Sequence, residues 1–444
     1  MKIANENPAF ARVTRRGGLL TLLAGALALA GCGGGDGEGS SQAAVTAGGT
    51  GSGSTNTGGS LSVGPISGMG SIIVNGVRFN DENAKILDDD GTPMKREDLK
   101  LGMMARVKGK AKSRKTDDTG KENDKDEAEE ITFGSALLGP IESFENLATI
   151  DLKITPAKLT VLGQIVLITA ATVIAEGTIL AALAADHIVE VHGFVDPATN
   201  QLTATRIERI LDLVKVNAFK LQGKISNVTA TSFMIGTRVI TIDSAVELAK
   251  LVLADLINGL HVRVRLDKAT KKAKHIRKMD EDDEDDRDEA EIKGTITDFT
   301  SSGKFIVNGR KIDASAVINL AALALKLGIH VEVKGRLVKG VLVAKAIKLE
   351  DITNPLKFEL HGKVTVTGLT DKNADSLTFT LTSDGGIVAK VTISRVDALA
   401  FAKKLNVTDE AALRAKLAAG VKLEVKGEAL FDGTIKANSI RVEE

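Results

Sequence analysis

The chain has a single cysteine, Cys32, in 444 residues, and neither tryptophan nor tyrosine. One thiol excludes an internal disulfide and any site built from several cysteines. Base and sugar recognition lean on aromatic platforms for stacking, and 13 phenylalanines are the whole aromatic complement. Net charge is also lacking, because 58 basic residues meet 58 acidic ones. No overall field therefore draws the chain to nucleic acid or to an anionic surface. Several signatures of catalysis and metal binding are missing too. There is no Gly-x-Ser-x-Gly elbow, no glycine-rich loop ending in Lys-Ser or Lys-Thr, and no His-x-x-x-His or Glu-x-x-His pair.

What is present begins at the N-terminus. Lys2, Arg12, Arg15 and Arg16 precede an apolar run over 19–30, and Leu29-Ala30-Gly31-Cys32 follows. A basic segment, a short apolar core and small residues before a cut form the layout of a secretory signal. The run is shorter than the ~20 apolar residues that span a bilayer. The Leu-Ala-Gly-Cys stretch resembles the lipobox of bacterial lipoproteins. The resemblance implies a signal peptide over 1–31, cleavage before Cys32, and a lipid on the Cys32 thiol that anchors the chain to a membrane. Gly33 stands where inner-membrane lipoproteins usually carry Asp, which favours the outer membrane, with the body in the periplasm or at the cell surface. Arg15-Arg16 is a faint twin-arginine pattern, but Gly17-Gly18 favours the general secretion route. Residues 32–60 are mostly Gly, Ser, Thr and Ala. Such a stretch cannot bury a core and reads as a disordered tether with a reach of about 30 Å.

Three landmarks recur in the same order five times. Each unit opens on a Gly followed two residues later by Ile or Val, at Gly64, Gly139, Gly223, Gly294 and Gly362. An alternating strand follows in each, around Val107, Val191, Val264, Val333 and Val425, ending in Gly in four of the five. The last strand carries Ala-x-x-Ile, at Ala128/Ile131, Ala204/Ile207, Ala273/Ile276, Ala344/Ile347 and Ala437/Ile440. The units cover 61–134 (with a charged loop over 111–127), 135–213, 217–279, 292–350 and 357–444. An acidic linker over 280–291 separates the third from the fourth. The third unit reads as three strands, a helix on which Leu248, Leu251, Val252 and Leu256 fall at helical spacing, and two more strands. The same reading places helices near 95–99, 175–185 and 314–327, and a longer insert over 396–419 broken near Asn406. The order β-β-β-α-β-β predicts an all-β chain with short helices, in tandem OB-like five-stranded barrels. A β-sandwich of the same short strands is the alternative. Residues 217–279 hold a full set of landmarks and are expected to fold alone.

The Gly-x-Ile opening, the Val-Asn-Gly turns at 74–76 and 307–309, the Gly-x-x-Val-x-Val-x-Gly stretch and the Ala-x-x-Ile ending resemble domain-of-unknown-function family 5666. The resemblance spans about 62–444 without the charged linkers. It implies a small β-barrel module in bacterial envelope lipoproteins, and no activity.

The remaining constellations carry little chemistry. The run over 280–291 is rich in carboxylates, which calcium prefers, but it has no loop that would preorganise a coordination shell. Calcium is expected to bind it weakly and in a salt-sensitive way. His261 and His330 hold the same place in two different units, and His187 and His192 face opposite sides of a strand, so these histidines read as structural. The first functional reading is a non-enzymatic envelope lipoprotein that binds an envelope protein or polymer or acts as a spacer, without nucleic acid and without a cofactor. The second is a calcium binder through the acidic linker. The third is an enzyme whose site forms between barrels.

Overall fold

A computed structural model describes residues 44–46, 59–110, 125–145, 156–242, 244–279, 286–351, 356–364, 370–373, 376–383, 386, 388–430 and 434–443. Cys32, the signal over 1–31 and most of the tether lie outside them. The tether reading is corrected at two places, since Gly59 and Ser60 already belong to strand Gly59–Met69. Ala44–Thr46 is a strand, antiparallel to residues 346–348 of the fourth unit. Val45 and Thr46 are β-branched residue types, which strands favour, inside an otherwise Gly- and Ser-rich stretch.

The first unit shows the barrel. Strand Gly59–Met69 pairs antiparallel with Ile72–Val74, which turns back into Val77–Asn80. Val77–Asn80 runs parallel to Lys125–Phe133, which is antiparallel to Met104–Lys110. Met104–Lys110 returns to Gly59–Met69 and closes the ring. The fourth unit closes in the same order through Arg287–Ser301, Lys304–Val307, Arg310–Asp313, Val341–Leu349 and His330–Val338. The second and fifth units close likewise, each through a short parallel pairing of third and fifth strands. In the third unit, strand Arg238–Thr241 pairs only with Ser232–Ile235 among the described residues, so its ring is open on that side.

The glycine landmarks have steric causes. In four units the fourth strand slips register at its glycine, at Gly109, Gly193, Gly335 and Gly427. Such a bulge presses backbone on backbone. A Cβ on Gly193, Gly335 or Gly427 would run into the carbonyl of Thr203, Val343 or Lys436. The opening glycines Gly64, Gly139 and Gly294 meet a turn residue instead, Asn75, Leu162 and Asn308. Asn75 and Asn308 sit at φ 57° and 47°, each before a glycine of positive φ, which is the tight hairpin that Asn-Gly favours. Their amides fold over the start of the first strand. Asn75 donates to the Val63 carbonyl at 2.9 Å, and Asn308 accepts from the Thr295 N–H at 3.1 Å. The second unit lacks Asn-Gly, yet Leu162-Gly163 takes the same turn at φ 49° and 73°.

The helix expectation is corrected in four units. Single 3-10 turns stand at Arg96–Asp98, Leu180–Ala182, Leu253–Asp255 and Leu320–Leu323. In the third unit Leu248 belongs to strand Glu247–Ala249, parallel to residues 275–277, while Val252, Leu253 and Ile257 are exposed. Of the predicted stripe, Leu256 is buried and Leu248 and Leu251 pack against the core, but from a strand and a turn rather than from one helix. The fifth unit has true helices, α1 (Arg395–Lys404) and α2 (Glu410–Ala418), with Asn406 at φ 56° between them. Each has a real cap: Ser394 accepts from the Asp397 N–H and Asp409 from the Ala412 N–H, satisfying donors that a first turn leaves open. No helix among the described residues is long and apolar enough to cross a membrane.

The units dock on one another. Ser60–Val63 run parallel to residues 289–292 of the fourth unit, and Gly68 and Met69 pair with Glu359 and Leu360 of the fifth. The core follows these junctions. One apolar cluster joins the first and fifth units, a second joins the second and third, and the third seats Leu61 and Val63 inside the fourth. Two boundaries change as a result. Strand Lys125–Phe133 begins inside the 111–127 loop, whose residues 111–124 lie outside the described ones. Strand Arg287–Ser301 begins inside the acidic linker, so its last five residues are ladder, with Ala290 and Glu291 buried. Residues 280–285 lie outside the described ones. Burial, and then the neighbouring Glu332, push the Glu291 carboxyl well above the usual carboxylate range.

The open third ring and its core shared with the second unit argue against 217–279 folding alone. Residues 217–279 alone should give a poorly dispersed amide spectrum and no cooperative urea transition, whereas 135–279 should give both. A cooperative transition of equal midpoint in the short fragment would contradict the shared core.

Candidate functional site

The alternating fourth strands place valines inward and charges outward. Val107, Val262 and Val264 are fully buried in their barrels. Arg106, Lys108 and Arg263 project from the outer faces of the first and third units, and docking turns these faces toward each other. Between them and the second unit lies a cavity of about 1290 Å³. Its cationic wall carries Arg106, Lys108, Arg263, Arg277 and Lys278, and its apolar wall carries Leu251, Ile257, Leu260 and Met279.

An ionic clamp holds the cavity's floor. Asp89, from the first unit, is almost fully buried and pairs with Lys220 at 3.0 Å and with Arg263, both of the third unit. Asp90 pairs with Arg265 at 2.9 Å, and Arg277 donates to the Asp89 carbonyl at 3.0 Å. Burial works to raise the Asp89 pKa, but Arg263 and Lys220 together hold it below its ordinary value. The carboxylates of Asp88, Asp89 and Asp90 are close enough together to hold a metal ion. Lys220, Arg263 and Arg265 already balance the last two, and Asp88 accepts the N–H groups of Asp90 and Thr92 in its own turn.

The histidines sit at junctions. The His192 ring meets the Gly134 carbonyl at 3.0 Å, at the join of the first two units. Burial, and then Arg206, lower its pKa to about 3. His330 bonds Thr295 at 3.0 Å and packs on Phe194 of the second unit, with ring centres 5.4 Å apart; burial lowers it to about 4. His261 lines the cavity, and burial, then Lys224 and Arg263, lower it to about 4. His187 lies just before its strand, in contact with Arg209 at 3.0 Å. His261 and His330 do open equivalent strands, as the sequence implied. Sequence reasoning missed the clamp and the cavity. The Arg-Val-Lys and Arg-Val-Arg patterns marked which side chains point out of each barrel, but not that two outer faces oppose each other.

Two outcomes test this electrostatic picture. Asp89→Asn leaves Lys220 and Arg263 facing each other without their shared anion, and should lower stability by about 3–5 kcal/mol at pH 7. Because the folded pKa is depressed, this contribution is complete above pH 3.8 and is lost as pH falls through the folded value, so the deficit should shrink in acid. An unchanged urea midpoint at pH 7 would remove the clamp from the argument. The neutral histidines act in the same direction at milder pH. The unfolded chain takes up protons below about 6.5 while His192, His261 and His330 stay neutral, so stability should fall steadily from pH 6.5 to 4, and less steeply in His192→Gln.

No curated protein matches the chain. Residues 139–208 and 293–348 do match the model of the family described as Domain of unknown function (DUF5666). These matches fall on the second and fourth units, whose rings close in the order given above. The second and fourth units of this chain are thus similar to the family described as Domain of unknown function (DUF5666).

Proposed function

We propose that this chain is a non-enzymatic binding protein of the bacterial cell envelope, lipid-anchored through Cys32 at the outer rather than the inner membrane. The observation that carries the binding reading is the inter-unit cavity, which residues of four docked units line together. A pure spacer needs no such space. Charged and apolar walls, rather than a nucleophile beside a base, support binding over catalysis. The calcium reading loses part of its ligand set, because Glu291 is built into a strand and paired with Lys334 at 3.1 Å. The partner class proposed is an envelope protein or polymer rather than nucleic acid, since no Trp or Tyr provides a stacking platform.

The chain should be recovered with membranes, with a lipid mass on its Cys32 peptide. Cys32→Ala should move it to the soluble fraction or leave it uncleaved. Unchanged fractionation without a lipid mass would end the anchor proposal. Calorimetry with calcium should show only weak, salt-sensitive binding, and a sub-micromolar site would restore the calcium reading.

A further inference from the structure

We infer that the turn between the third and fourth strands of the fourth unit, residues 314–329, lies against the surface of a lipid bilayer. The occupant rests on the Cys32 anchor proposed above, and the contact goes beyond that anchor by giving the body a membrane-facing side.

Composition singles the turn out. From Ala314 to Ile329 it has no carboxylate, and Lys326 is its one charged residue. The corresponding turns of the first three units all carry acids: Glu97 and Asp98, Glu176 and Asp186, Glu247 and Asp255. Packing then divides its apolar residues in two. Val317, Leu323 and Leu325 enter the core of the fourth barrel. Ile318 is 52% exposed and Leu327 37%, and Ala316, Ala321, Ala322 and Ala324 are exposed with them. Asn319 and Ala324 hold φ at 58° and 45° on either side of the 3-10 turn Leu320–Leu323. Asparagine visits this left-handed region readily and alanine does not. The turn is thus bent into a shape that leaves Ile318 in water instead of on the core. An exposed apolar surface of this kind marks a contact with something outside the fold.

Where the anchoring chain arrives selects the occupant. Strand Ala44–Thr46 pairs with residues 346–348 of the same unit, and its Cα atoms come within 8 Å of those of the turn Leu320–Leu323. Cys32 stands twelve positions before Ala44. Whatever its conformation, a chain of that length spans no more than about 40 Å. A lipid on Cys32 therefore holds this side of the fourth unit, and no other described element, closest in sequence to the bilayer. The patch is too small to retain a protein at a membrane unaided. Tethering raises its effective concentration at the surface, so a weak contact becomes populated. Ile318 would enter the boundary between headgroups and acyl chains, while Lys326 lays its stem alongside and keeps its ammonium among the phosphates. The return end of the turn is less open, because Asp196 of the second unit stands beside Gly328.

The chain has no tryptophan, no tyrosine and no second cysteine, so one thiol and one introduced fluorophore suffice for a test. The chain from Cys32 onward, which keeps every described element, is coupled through its thiol to a maleimide-headgroup lipid in phosphatidylcholine vesicles. The outcome then does not depend on whether cells lipidate Cys32. Ile318→Trp and Ala321→Trp, each checked for unchanged Tm, should emit further to the blue on coupling and be quenched by lipids brominated on their acyl chains. Val252→Trp, at an exposed apolar position of the third unit, should do neither. Adding Ile318→Glu to the Ala321→Trp chain should remove most of the quenching. Unquenched emission from both reporters, or equal quenching from the third-unit control, would overturn the inference. A blue shift without quenching, together with a doubled mass by light scattering, would reject lipid and give the face to a second copy of the chain. The two levels separate cleanly. Quenching in coupled vesicles with no lipid mass on the native Cys32 peptide would end the anchor reading alone, and a lipidated Cys32 with unquenched reporters would end the contact alone.

Discussion

The docking of the first, fourth and fifth units depends on strand Gly59–Met69 using both of its edges. Beside its own second and fourth strands it takes a parallel partner from the fourth unit along 60–63 and another from the fifth at 68–69. A strand paired on both sides and covered on both faces must be buried almost throughout, and this one is. Its polar positions are consequently small. Ser62 donates to the Val74 carbonyl at 3.0 Å and receives the Asn75 amide at 3.2 Å. A longer polar side chain at position 62 would hold the fourth unit away. The pairing also removes an exposed edge, the usual route to unwanted strand addition.

Docking through first strands has a second effect. It turns the outward faces of the barrels toward one another, and outward faces are charged. The first and third units resolve this with opposite signs, Asp89 and Asp90 against Lys220, Arg263 and Arg265. Buried pairs of this kind add little net stability compared with apolar packing, but they fix how the faces meet.

The barrel was legible in the sequence because its constraints are local. A glycine facing a carbonyl across a bulge, an Asn-Gly turn folded over the next strand, and alternating valines each leave a mark within ten residues. The helices were less legible. Leu248, Leu251, Val252 and Leu256 fit a helical stripe, but a stripe of four residues cannot distinguish a helix from a strand followed by a turn. Cap residues told more: Ser394 and Asp409 stand before the two helices that exist. The acidic linker was misjudged at its end, because charge alone reads as solvent exposure, and Glu291 is held by Lys334 at a junction between units. The cavity was not legible at all. Its walls come from units separated by more than a hundred residues, and no local pattern records which outer faces will meet.

One small contact changes how the whole array can be regarded. The third unit has no asparagine in the turn between its second and third strands, yet its opening strand carries the usual asparagine clasp, because Asn200 of the second unit supplies it. Asn200 accepts from the Lys224 N–H at 2.9 Å and donates to the Lys224 carbonyl at 3.1 Å, over Gly223. The units are therefore not interchangeable bricks. Excising the second would strip its neighbour of a part, and moving the third elsewhere in the chain would separate it from its lender. Similar pieces have become specialised by position, so this array can change by substitution within a place far more easily than by gaining, losing or shuffling places.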